Sequence, residues 1–455
     1  MTGKELLEKI DSPAGGALFA ELYGEKEVSF ARQRYRALIE EITGGGFPRA
    51  ELDRADGNLR VFSAPGRTEL GGNHTDHNRG KVLAASIQLD SAAIVCARND
   101  KAVFFRSAGY PDVRVNLAHT GGAPDLEPRT EEQGTTGALV RGIAAELDRR
   151  GTEIGGFSAN AASTVLPGSG LSSSAAVEVL FGRVFDCLYA GGKRSALEIA
   201  QIGQIAENTF FGKPCGLMDQ TACATGGAVA INFADAAKPE VRHINFDLAA
   251  LGFTLCVVNT RGSHADLTPD YAAIPAEMKA AAAFFGKSVL GELDRETVLA
   301  GAAGLRKAAG DRALLRALHF FDENERVDAM AAALDSMDRA AGPEKKQRAL
   351  DGFLELVNES GDSSWELLQN VYSTRNSAVQ GVSVALGLSK NFFRRQNLPG
   401  ACRVHGGGFA GTIQVYLPPD ALAAYSRTIE TVFGPGSVTP LRIRPLGSVE
   451  LNFSA

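Results

Sequence analysis

Residues Leu166-Pro-Gly-Ser-Gly-Leu-Ser-Ser-Ser-Ala-Ala-Val-Glu-Val-Leu180 join a glycine- and serine-rich loop directly to an apolar helical pattern. Glycines in such a loop allow positive φ and a close approach of ligand to backbone. The first N–H groups of the following helix lack intrahelical partners, and the helix dipole favours an anion there. Serine hydroxyls add donors for phosphate oxygens and an oxygen ligand for Mg2+. The stretch predicts a phosphate-binding loop, although an ordinary Gly-Ser loop that caps a helix has the same local signature.

The segments around this loop follow the order that a phosphate site needs. Residues Phe157 to Val165 alternate like a strand and lead into the loop, and the helix is expected to end before Gly191-Gly192. A P-loop NTPase would need the lysine of GxxxxGKS or GxxxxGKT, and this loop has none. Charge neutralisation must therefore come from Mg2+, the helix N-terminus and a cation elsewhere in the chain.

The composition is that of a globular protein without a strong charge bias. The 455 residues are 44% hydrophobic, and 47 Lys and Arg stand against 53 Asp and Glu, a net charge of -6. This balance argues against nucleic-acid binding through bulk charge, and no apolar stretch approaches a membrane span. Six cysteines without CxxC spacing are typical of reduced thiols. We expect a cytoplasmic monomer or homodimer with no nucleic-acid or membrane partner.

A chain of this length is expected to divide into lobes. Helical patterns dominate residues 1–58, a predicted N-terminal extension. Residues 59–237 form a predicted β-rich lobe, and residues 238–455 form a predicted second lobe with alanine-rich helices. The predicted strands lie at 59–64, 82–87, 92–97, 102–106, 157–165, 228–233, 253–258 and 446–453. The prediction is an α/β fold of the α+β type in two lobes.

Three glycine-rich stretches, near residues 65, 168 and 406, are expected to meet in one cleft, because packing alone seldom needs so many glycine loops. The first stretch contains Arg67, Asn73, His74, Asp76 and Asn78. Such side chains pair well with the hydroxyls of a sugar-like ligand, although a solvated loop has a similar composition. The histidines and Asp76 also permit a zinc site, but their spacing matches no helical HxxxH pattern.

Asp219 lies among small and apolar residues in Cys215-Gly-Leu-Met-Asp-Gln220, where a carboxylate needs a partner or a function. It could accept the proton of an attacking hydroxyl while Arg67 holds it ionised or stabilises a transferring phosphoryl group. A cap for a helix that begins at Gln220 is the alternative. Glu207, at the end of a predicted helix, is either a Mg2+ ligand or a surface acid.

Together these stretches resemble the GHMP small-molecule kinase family, and within it the galactokinases. Ala64-Pro-Gly-Arg67 with Gly71-Gly-Asn-His-Thr-Asp-His-Asn78 is similar to the galactokinase sugar signature. The family's ATP loop resembles Gly170-Leu-Ser-Ser-Ser-Ala-Ala176, and its third glycine motif resembles Gly406-Gly-Gly-Phe-Ala-Gly411. Further similar segments are Ala206-Glu-Asn208, Pro214-Cys-Gly-Leu-Met-Asp-Gln220, Arg316-Ala-Leu-His-Phe320 and Asn324-Glu-Arg-Val327. The resemblance begins at about Leu59 and continues to the end of the chain.

The resemblance implies a fold, a reaction and a set of roles. The fold is a ribosomal S5 domain 2-like N-terminal lobe with a ferredoxin-like C-terminal lobe, and the reaction transfers the ATP γ-phosphoryl group to the anomeric hydroxyl of galactose. Asp219 would be the catalytic carboxylate with Arg67 as its cationic partner, and Ser173 and Glu207 would hold Mg2+. The implied sugar ligands are Asn73, His74, Asp76, Gly216 and Tyr271. The implied ATP contacts are Pro167, Gly168, Ser169, Gly170, Leu171, Ser172, Ser173 and Ser174.

Four positions depart from the galactokinase pattern. Galactokinases usually have Glu where this chain has Asn73, Asn where it has Glu69, Tyr where it has His77 and Thr where it has His405. The residue that matches Asn73 faces the sugar's C6 end, so we hypothesise that galactose still binds while a C6 carboxylate such as galacturonate becomes admissible. The alternatives are a kinase for N-acetylgalactosamine, arabinose or mevalonate, and a non-catalytic sensor of sugar and ATP.

Overall fold

Two sheets organise the computed structural model, which describes residues 1–118, 125–166, 168–263 and 267–453. The N-terminal segment contains α1 (Gly3–Asp11), α2 (Pro13–Tyr23), α3 (Val28–Thr43) and α4 (Arg49–Leu52). The first sheet and its helices are β1 (Arg60–Gly71), β2 (Lys81–Arg98), β3 (Ala102–Ser107), β4 (Val113–Asn116), α5 (Thr136–Arg149), β5 (Gly156–Ser163), α6 (Ser173–Tyr189), α7 (Ala196–Ile205), α8 (Met218–Thr225), β6 (Ala228–Asn232) and β7 (Glu240–Ile244). The second sheet and its helices are β8 (Thr254–Asn259), α9 (Thr268–Phe284), α10 (Arg295–Ala300), α11 (Ala302–Ala309), α12 (Asp311–Arg339), α13 (Pro343–Ser363), α14 (Gly381–Gln396), β9 (Ala401–His405), β10 (Thr412–Leu417), α15 (Leu422–Phe433), β11 (Val438–Leu441) and a last short strand, β12 (Val449–Glu450).

The long strand β2 lies at the centre of the first sheet. The strand order is β12-β1-β2-β5-β3-β4, while β6 pairs with the first half of β2 and also with β7. The sequence predicted two strands, at 82–87 and 92–97, and the structure has one. Two polar residues between them have partners elsewhere, so the strand continues. Gln88 donates to the Pro440 carbonyl on β11 and accepts from the Arg442 N–H group just after it, and Asp90 forms a buried ion pair with Arg444.

Neighbouring side chains on β1 and β2 enter two different cores. Phe62 and Val95 pack with helices α5 to α8, whereas Val61, Ile94 and Cys96 pack with α1 to α3. Successive residues of a strand point to opposite faces, so apolar side chains at consecutive positions need a cover on both faces. The N-terminal helices provide that second cover and therefore form a layer of the first lobe.

A buried carboxylate links the N-terminal helices to the sheet. Arg34 on α3 and Arg444 near the C-terminus both pair with Asp90 on β2, and the Tyr23 hydroxyl donates to it at 2.7 Å. Burial raises the pKa of Asp90, but the two guanidinium charges outweigh burial, and the net pKa lies below its ordinary value. Arg34 also donates to Thr164, just before the nucleotide loop, at 3.2 Å. The helical segment therefore contacts the base of that loop.

The second sheet has the strand order β11-β8-β10-β9, with every pair antiparallel. Helices α14 and α15 cover one face of this sheet, where Val258 on β8 is buried. Helices α12 and α13 cover the other face, where the neighbouring Val257 is buried. The ferredoxin-like expectation for this lobe is confirmed, because β8, β9, β10 and β11 with their intervening helices follow the βαββαβ order.

The end of the chain returns to the first sheet. β12 pairs with β1 through Val449 and Glu450, so the predicted strand at 446–453 is reduced to two residues. Beyond it, Leu451 and Phe453 pack into the core beside α1 to α3. β7 continues the first sheet past residue 237. The predicted division at 1–58, 59–237 and 238–455 stays a prediction.

Two structural observations concern the predictions of reduced cysteines and of no membrane span. The six cysteines form no disulfide, and four of them are buried. Within the described ranges, no helix is both long enough and apolar enough to cross a bilayer.

Candidate active site

Arg67 and Asp219 form an ion pair although 152 residues separate them in the chain. Arg67 lies on β1 and Asp219 in the first turn of α8. Arg67 Nε donates to Asp219 Oδ1 at 2.8 Å, Nη2 lies 2.6 Å from the same oxygen, and Nη1 donates to the Gly170 carbonyl. The Asp219 side chain is 33% exposed, so a ligand can reach its carboxylate. The structure thus joins the two predicted catalytic residues to the nucleotide loop.

The environment of Asp219 favours the ionised carboxylate. Burial raises the pKa of its carboxyl group, but the charge of Arg67 and a hydrogen bond from Ser172 Oγ outweigh burial, and the net pKa lies below its ordinary value. The alternative role as a helix cap does not match the structure, because α8 begins at Met218 and Asp219 lies inside it.

The nucleotide loop has the predicted order of strand, loop and helix, since β5 ends at Ser163 and α6 begins at Ser173. Gly168 and Gly170 have φ of 68° and 69°. An L-residue rarely adopts such a φ, so glycine is needed at these two positions. The Ser169 carbonyl accepts from Thr412 Oγ1 at 2.8 Å, which ties the loop to β10. Pro167 lies outside the described residues, and the ATP contacts of the loop stay a prediction.

The three glycine-rich stretches meet, as the sequence predicted. A Cβ atom placed on Gly66 would lie 2.6 Å from the Leu171 carbonyl oxygen. A Cβ atom on Gly406 would lie 3.4 Å from the Cα atom of Gly170, and one on Gly170 would lie 3.2 Å from His405 Nδ1. Side chains at Gly66 and Gly170 would therefore crowd the neighbouring stretch, so glycine permits this close contact.

Three predicted sugar ligands bind the backbone of the third glycine motif. Asn73 Nδ2 donates to the Gly406 carbonyl at 2.8 Å, His74 Nε2 to the Gly407 carbonyl at 3.0 Å and the Tyr271 hydroxyl to the Gly408 carbonyl at 2.9 Å. Burial lowers the pKa of His74 to about 3, so its imidazole is neutral near pH 7. The sugar signature and the third motif therefore form one hydrogen-bonded unit.

The departures at positions 69 and 73 are in direct contact. Asn73 Nδ2 donates to Glu69 Oε1 at 3.1 Å, and Asn73 Oδ1 accepts from Asn370 at 2.7 Å. Glu69 Oε1 also lies 2.6 Å from Arg403 Nη2 in a buried ion pair. Burial raises the pKa of Glu69 even though Arg403 opposes it. The amide of Asn73 is thus occupied by protein groups, and its contact with a sugar stays a prediction.

Two further predicted sugar ligands, Asp76 and Gly216, face each other. A Cβ atom on Gly216 would lie only 1.8 Å from Asp76 Oδ2, so any other residue at that position would displace the Asp76 carboxylate. The Asp76 side chain is 8% exposed, and Oδ1 accepts from the His77 N–H group at 3.0 Å. Gly216 lies two residues before α8, the helix that carries Asp219 in its first turn.

Helix α12 contributes residues whose role sequence reasoning missed. His319 Nε2 donates to the Asn73 carbonyl at 2.9 Å, and Glu323 accepts from the Gly72 N–H group at 2.9 Å. Asn324 Oδ1 accepts from the Lys81 N–H group at 2.6 Å. His319 and Glu323 are four residues apart and share a helix face, and that spacing was the signal available in the sequence. These contacts bind the sugar signature to the second lobe.

The predicted Mg2+ ligands provide oxygen donors on two elements. Ser173 is the first residue of α6, and the buried Glu207 lies in a π-helical turn after α7. Glu207 accepts from Lys213 at 3.1 Å and from Gln220 at 3.0 Å. No group of three or more His, Cys, Asp or Glu side chains in the described part of the chain could hold a metal ion, so the zinc alternative gains no support. A hydroxyl and a carboxylate suit Mg2+ that is bound mainly through phosphates and water.

Comparisons of sequence identify the relatives of this chain. Residues 50–97 match the model of the galactokinase galactose-binding signature, and residues 138–227 match that of the GHMP kinase N-terminal domain. The first match begins inside the segment predicted as an extension. A galactokinase of Streptomyces coelicolor is 32% identical over 386 residues, which cover 84% of this chain and 91% of that protein. A galactokinase of Streptomyces lividans is 32% identical over 83% of this chain and 87% of its own length.

Comparisons of structure agree with those of sequence. Lactococcus lactis galactokinase, solved in complex with galactose, superposes with a TM-score of 0.70 at 25% identity and covers 88% of this chain and 98% of that one. Methanococcus jannaschii mevalonate kinase shares the fold, with a TM-score of 0.55 at 13% identity over 85% of this chain and 99% of that one. The chain therefore belongs to the GHMP kinase family and, within it, to the galactokinases.

Proposed function

We propose that this protein is an ATP-dependent galactokinase that phosphorylates the anomeric hydroxyl of galactose. The observation that supports this most directly is the Arg67–Asp219 ion pair, which lies where the nucleotide loop and the sugar signature meet. An open carboxylate beside a phosphate-binding loop is what a phosphoryl transfer to a hydroxyl needs. The galactokinase relatives identify the sugar class.

In the proposed step, the galactose O1 attacks the γ-phosphorus and its proton passes to Asp219 Oδ2. A new O–P bond forms to the sugar, the bond between the γ-phosphorus and its bridging oxygen breaks, and ADP leaves with the electron pair. Arg67 keeps Asp219 ionised and supplies positive charge next to the transferring group. A lowered pKa makes Asp219 a weak base, so its main contribution is to orient the hydroxyl and accept the proton late in the transfer.

ATP and Mg2+ are proposed to bind at the N-terminus of α6. The N–H groups at Ser173 and Ser174 start that helix and are available to phosphate oxygens. Ser173 and Glu207 would hold Mg2+, which supplies charge neutralisation that a loop without lysine cannot. Lys213 and Gln220 orient the Glu207 carboxylate. A cytoplasmic location and a monomeric or dimeric state are part of the same proposal.

The sugar is proposed to bind between Asp76, Gly216, His74 and Tyr271, with Asn73 toward the C6 end. Because Asn73 already bonds with Glu69, it would contribute mainly by shaping this end of the pocket. The hypothesis that galacturonate is admissible is tested by comparing phosphorylation rates of galactose and galacturonate in the wild type and in Asn73→Glu. The same ratio of the galactose rate to the galacturonate rate in both proteins would contradict the hypothesis.

A single assay separates galactokinase activity from the other activities. Purified protein is incubated with MgATP and galactose, galacturonate, N-acetylgalactosamine, arabinose or mevalonate, and ADP release is followed. We expect ADP release with galactose at the highest kcat/KM. Binding of both ligands without any ADP release would instead favour a non-catalytic sensor, which the intact Arg67–Asp219 pair argues against.

The role of Asp219 has its own test. Asp219→Asn retains a side chain of the same size but cannot accept the proton, so we expect turnover to be lost while ATP binding, measured by calorimetry, stays nearly unchanged. Asp420→Asn, at an exposed position of the second lobe, is the matched control and should keep full activity. A fully active Asp219→Asn variant would contradict the assignment of Asp219 as the proton acceptor.

A further inference from the structure

Ser172 occupies an unusual position at the start of α6. It is the N-cap residue of that helix, with φ 58° and ψ 56°, the left-handed conformation that L-residues rarely adopt. Such a conformation costs on the order of 1 kcal/mol or more in a residue with a side chain, and it persists only where the surroundings impose it. At Gly168 and Gly170 in the same loop, where φ is also positive, the residue is glycine, which adopts this conformation without strain. The serine at position 172 therefore needs a reason other than loop shape.

Helix capping is not that reason. Other helices of this chain have a Ser, Thr or Asp at the N-cap in the extended conformation, and its side chain accepts a hydrogen bond from a first-turn N–H group. These N-caps are Thr2, Ser12, Thr135, Ser195 and Asp294. Ser172 makes no such bond. Because the Ser172 side chain forms no cap hydrogen bond, the first N–H groups of α6 stay available to a bound anion.

The hydroxyl binds the proposed catalytic carboxylate instead. Ser172 Oγ donates to Asp219 Oδ2, whereas both contacts from Arg67 go to Oδ1. The two oxygens of Asp219 are thus held from two different elements, and the carboxylate plane is fixed. Oδ1 already faces two Arg67 nitrogens, whereas Oδ2 accepts from Ser172 Oγ and keeps a second lone pair for a hydrogen bond from a sugar hydroxyl. The same hydrogen bond contributes to the lowered pKa of Asp219.

We propose that Ser172 is a positioning residue for phosphoryl transfer: its hydroxyl orients Oδ2 of Asp219 toward the sugar, and its left-handed backbone leaves the α6 N–H groups to the phosphates. The inference rests on the proposed galactokinase function. Ser172 thereby sets the distance between the proton acceptor and the phosphate site, because its backbone is part of the nucleotide loop and its side chain binds the Asp219 carboxylate.

Two variants separate the hydroxyl from the backbone conformation. Ser172→Ala removes the hydroxyl and keeps the strain, whereas Ser172→Gly removes both. With galactose and MgATP, we expect kcat to fall roughly ten- to hundredfold in both variants, the range for a lost hydrogen bond to a charged group, while KM for either substrate changes far less. We also expect Ser172→Gly to melt at a higher temperature than Ser172→Ala, since glycine relieves the strained φ.

The controls make the outcome decisive. Asn397, an exposed residue with φ 50° at the end of α14, is far from the loop in sequence and is not one of the site residues described above. Asn397→Gly should raise the melting temperature with unchanged kcat. A Ser172→Gly variant with wild-type kcat would show that the position serves only loop shape and would overturn the proposal. Wild-type protein that releases no ADP with galactose would refute the proposed function itself, a distinct failure.

Discussion

Glu69, Asn73 and Arg403 offer a direct test of how the sugar signature is held. The side chains of Arg403 and Glu69 are 0% and 2% exposed, with 2.6 Å between Nη2 and Oε1. Glu69→Asn removes the carboxylate that pairs directly with the buried guanidinium, and removal of one partner from a buried pair costs about 3–5 kcal/mol. Asn73→Glu places a second carboxylate next to Glu69 and against the Gly406 carbonyl, which loses its donor. We expect that change to cost about 3 kcal/mol or more.

The double variant, Glu69→Asn with Asn73→Glu, restores one carboxylate and one amide in the same contact. It should therefore lose less stability than the two single changes together, with a coupling free energy of about 1–3 kcal/mol. The free energy of unfolding would be measured for all four proteins by urea denaturation followed by circular dichroism. Glu450→Gln, which removes the charge of a partly exposed partner of Arg60, is the control and should cost no more than about 1 kcal/mol. Additivity within about 0.5 kcal/mol would refute the reasoning.

Three further changes test other contacts. A methyl group at position 216 would lie 1.8 Å from Asp76 Oδ2 and must displace that carboxylate, so Gly216→Ala should lower kcat/KM for galactose at least about 100-fold, whereas Gly352→Ala, with open space around it, should keep wild-type kinetics. Burial raises the pKa of Glu323, but its hydrogen bonds and cationic neighbours outweigh burial and lower that pKa from 4.5 to about 2. The ionised group should therefore contribute about 3 kcal/mol above pH 4.5 that is lost as the pH falls to 2, and the stability gap between wild type and Glu323→Gln should close over that range. Asp90→Asn leaves buried guanidinium groups without their counter-charge and should cost about 3–5 kcal/mol in urea denaturation; a loss under 1 kcal/mol would contradict the assigned ion pairs.

Local patterns in the sequence were sufficient where a segment's structure depends on its own residues. The alternation before Val165, the glycines at 168 and 170 and the apolar helix after Ser173 predicted the strand, loop and helix of the nucleotide site. The convergence of three glycine stretches was also predictable, because glycine is the residue that permits backbones to approach each other.

Local patterns failed where a segment's structure depends on distant partners. Residues 88–91, which include Gln88 and Asp90, separated two predicted strands, yet β2 continues through them because Asp90 pairs with Arg34 and Arg444. The polar stretch after Pro65 looked like a loop, yet β1 continues to Gly71. A period-two pattern cannot report that a charged side chain has a counter-charge from another element.

The sequence by itself determined the family and the order of strand, loop and helix at the nucleotide site, because both depend on residue types and short spacings. It also predicted that Asp219 and Arg67 are partners, and their catalytic roles stay a prediction. Only the tertiary structure decided which side chains those residues meet. It joined Glu69 to Asn73 and Arg403, placed Asn73, His74 and Tyr271 on consecutive glycine carbonyls, and turned Ser172 toward Asp219. The physical reason is that buried polar groups must find partners, and the nearest partner in space is often hundreds of residues away in the chain.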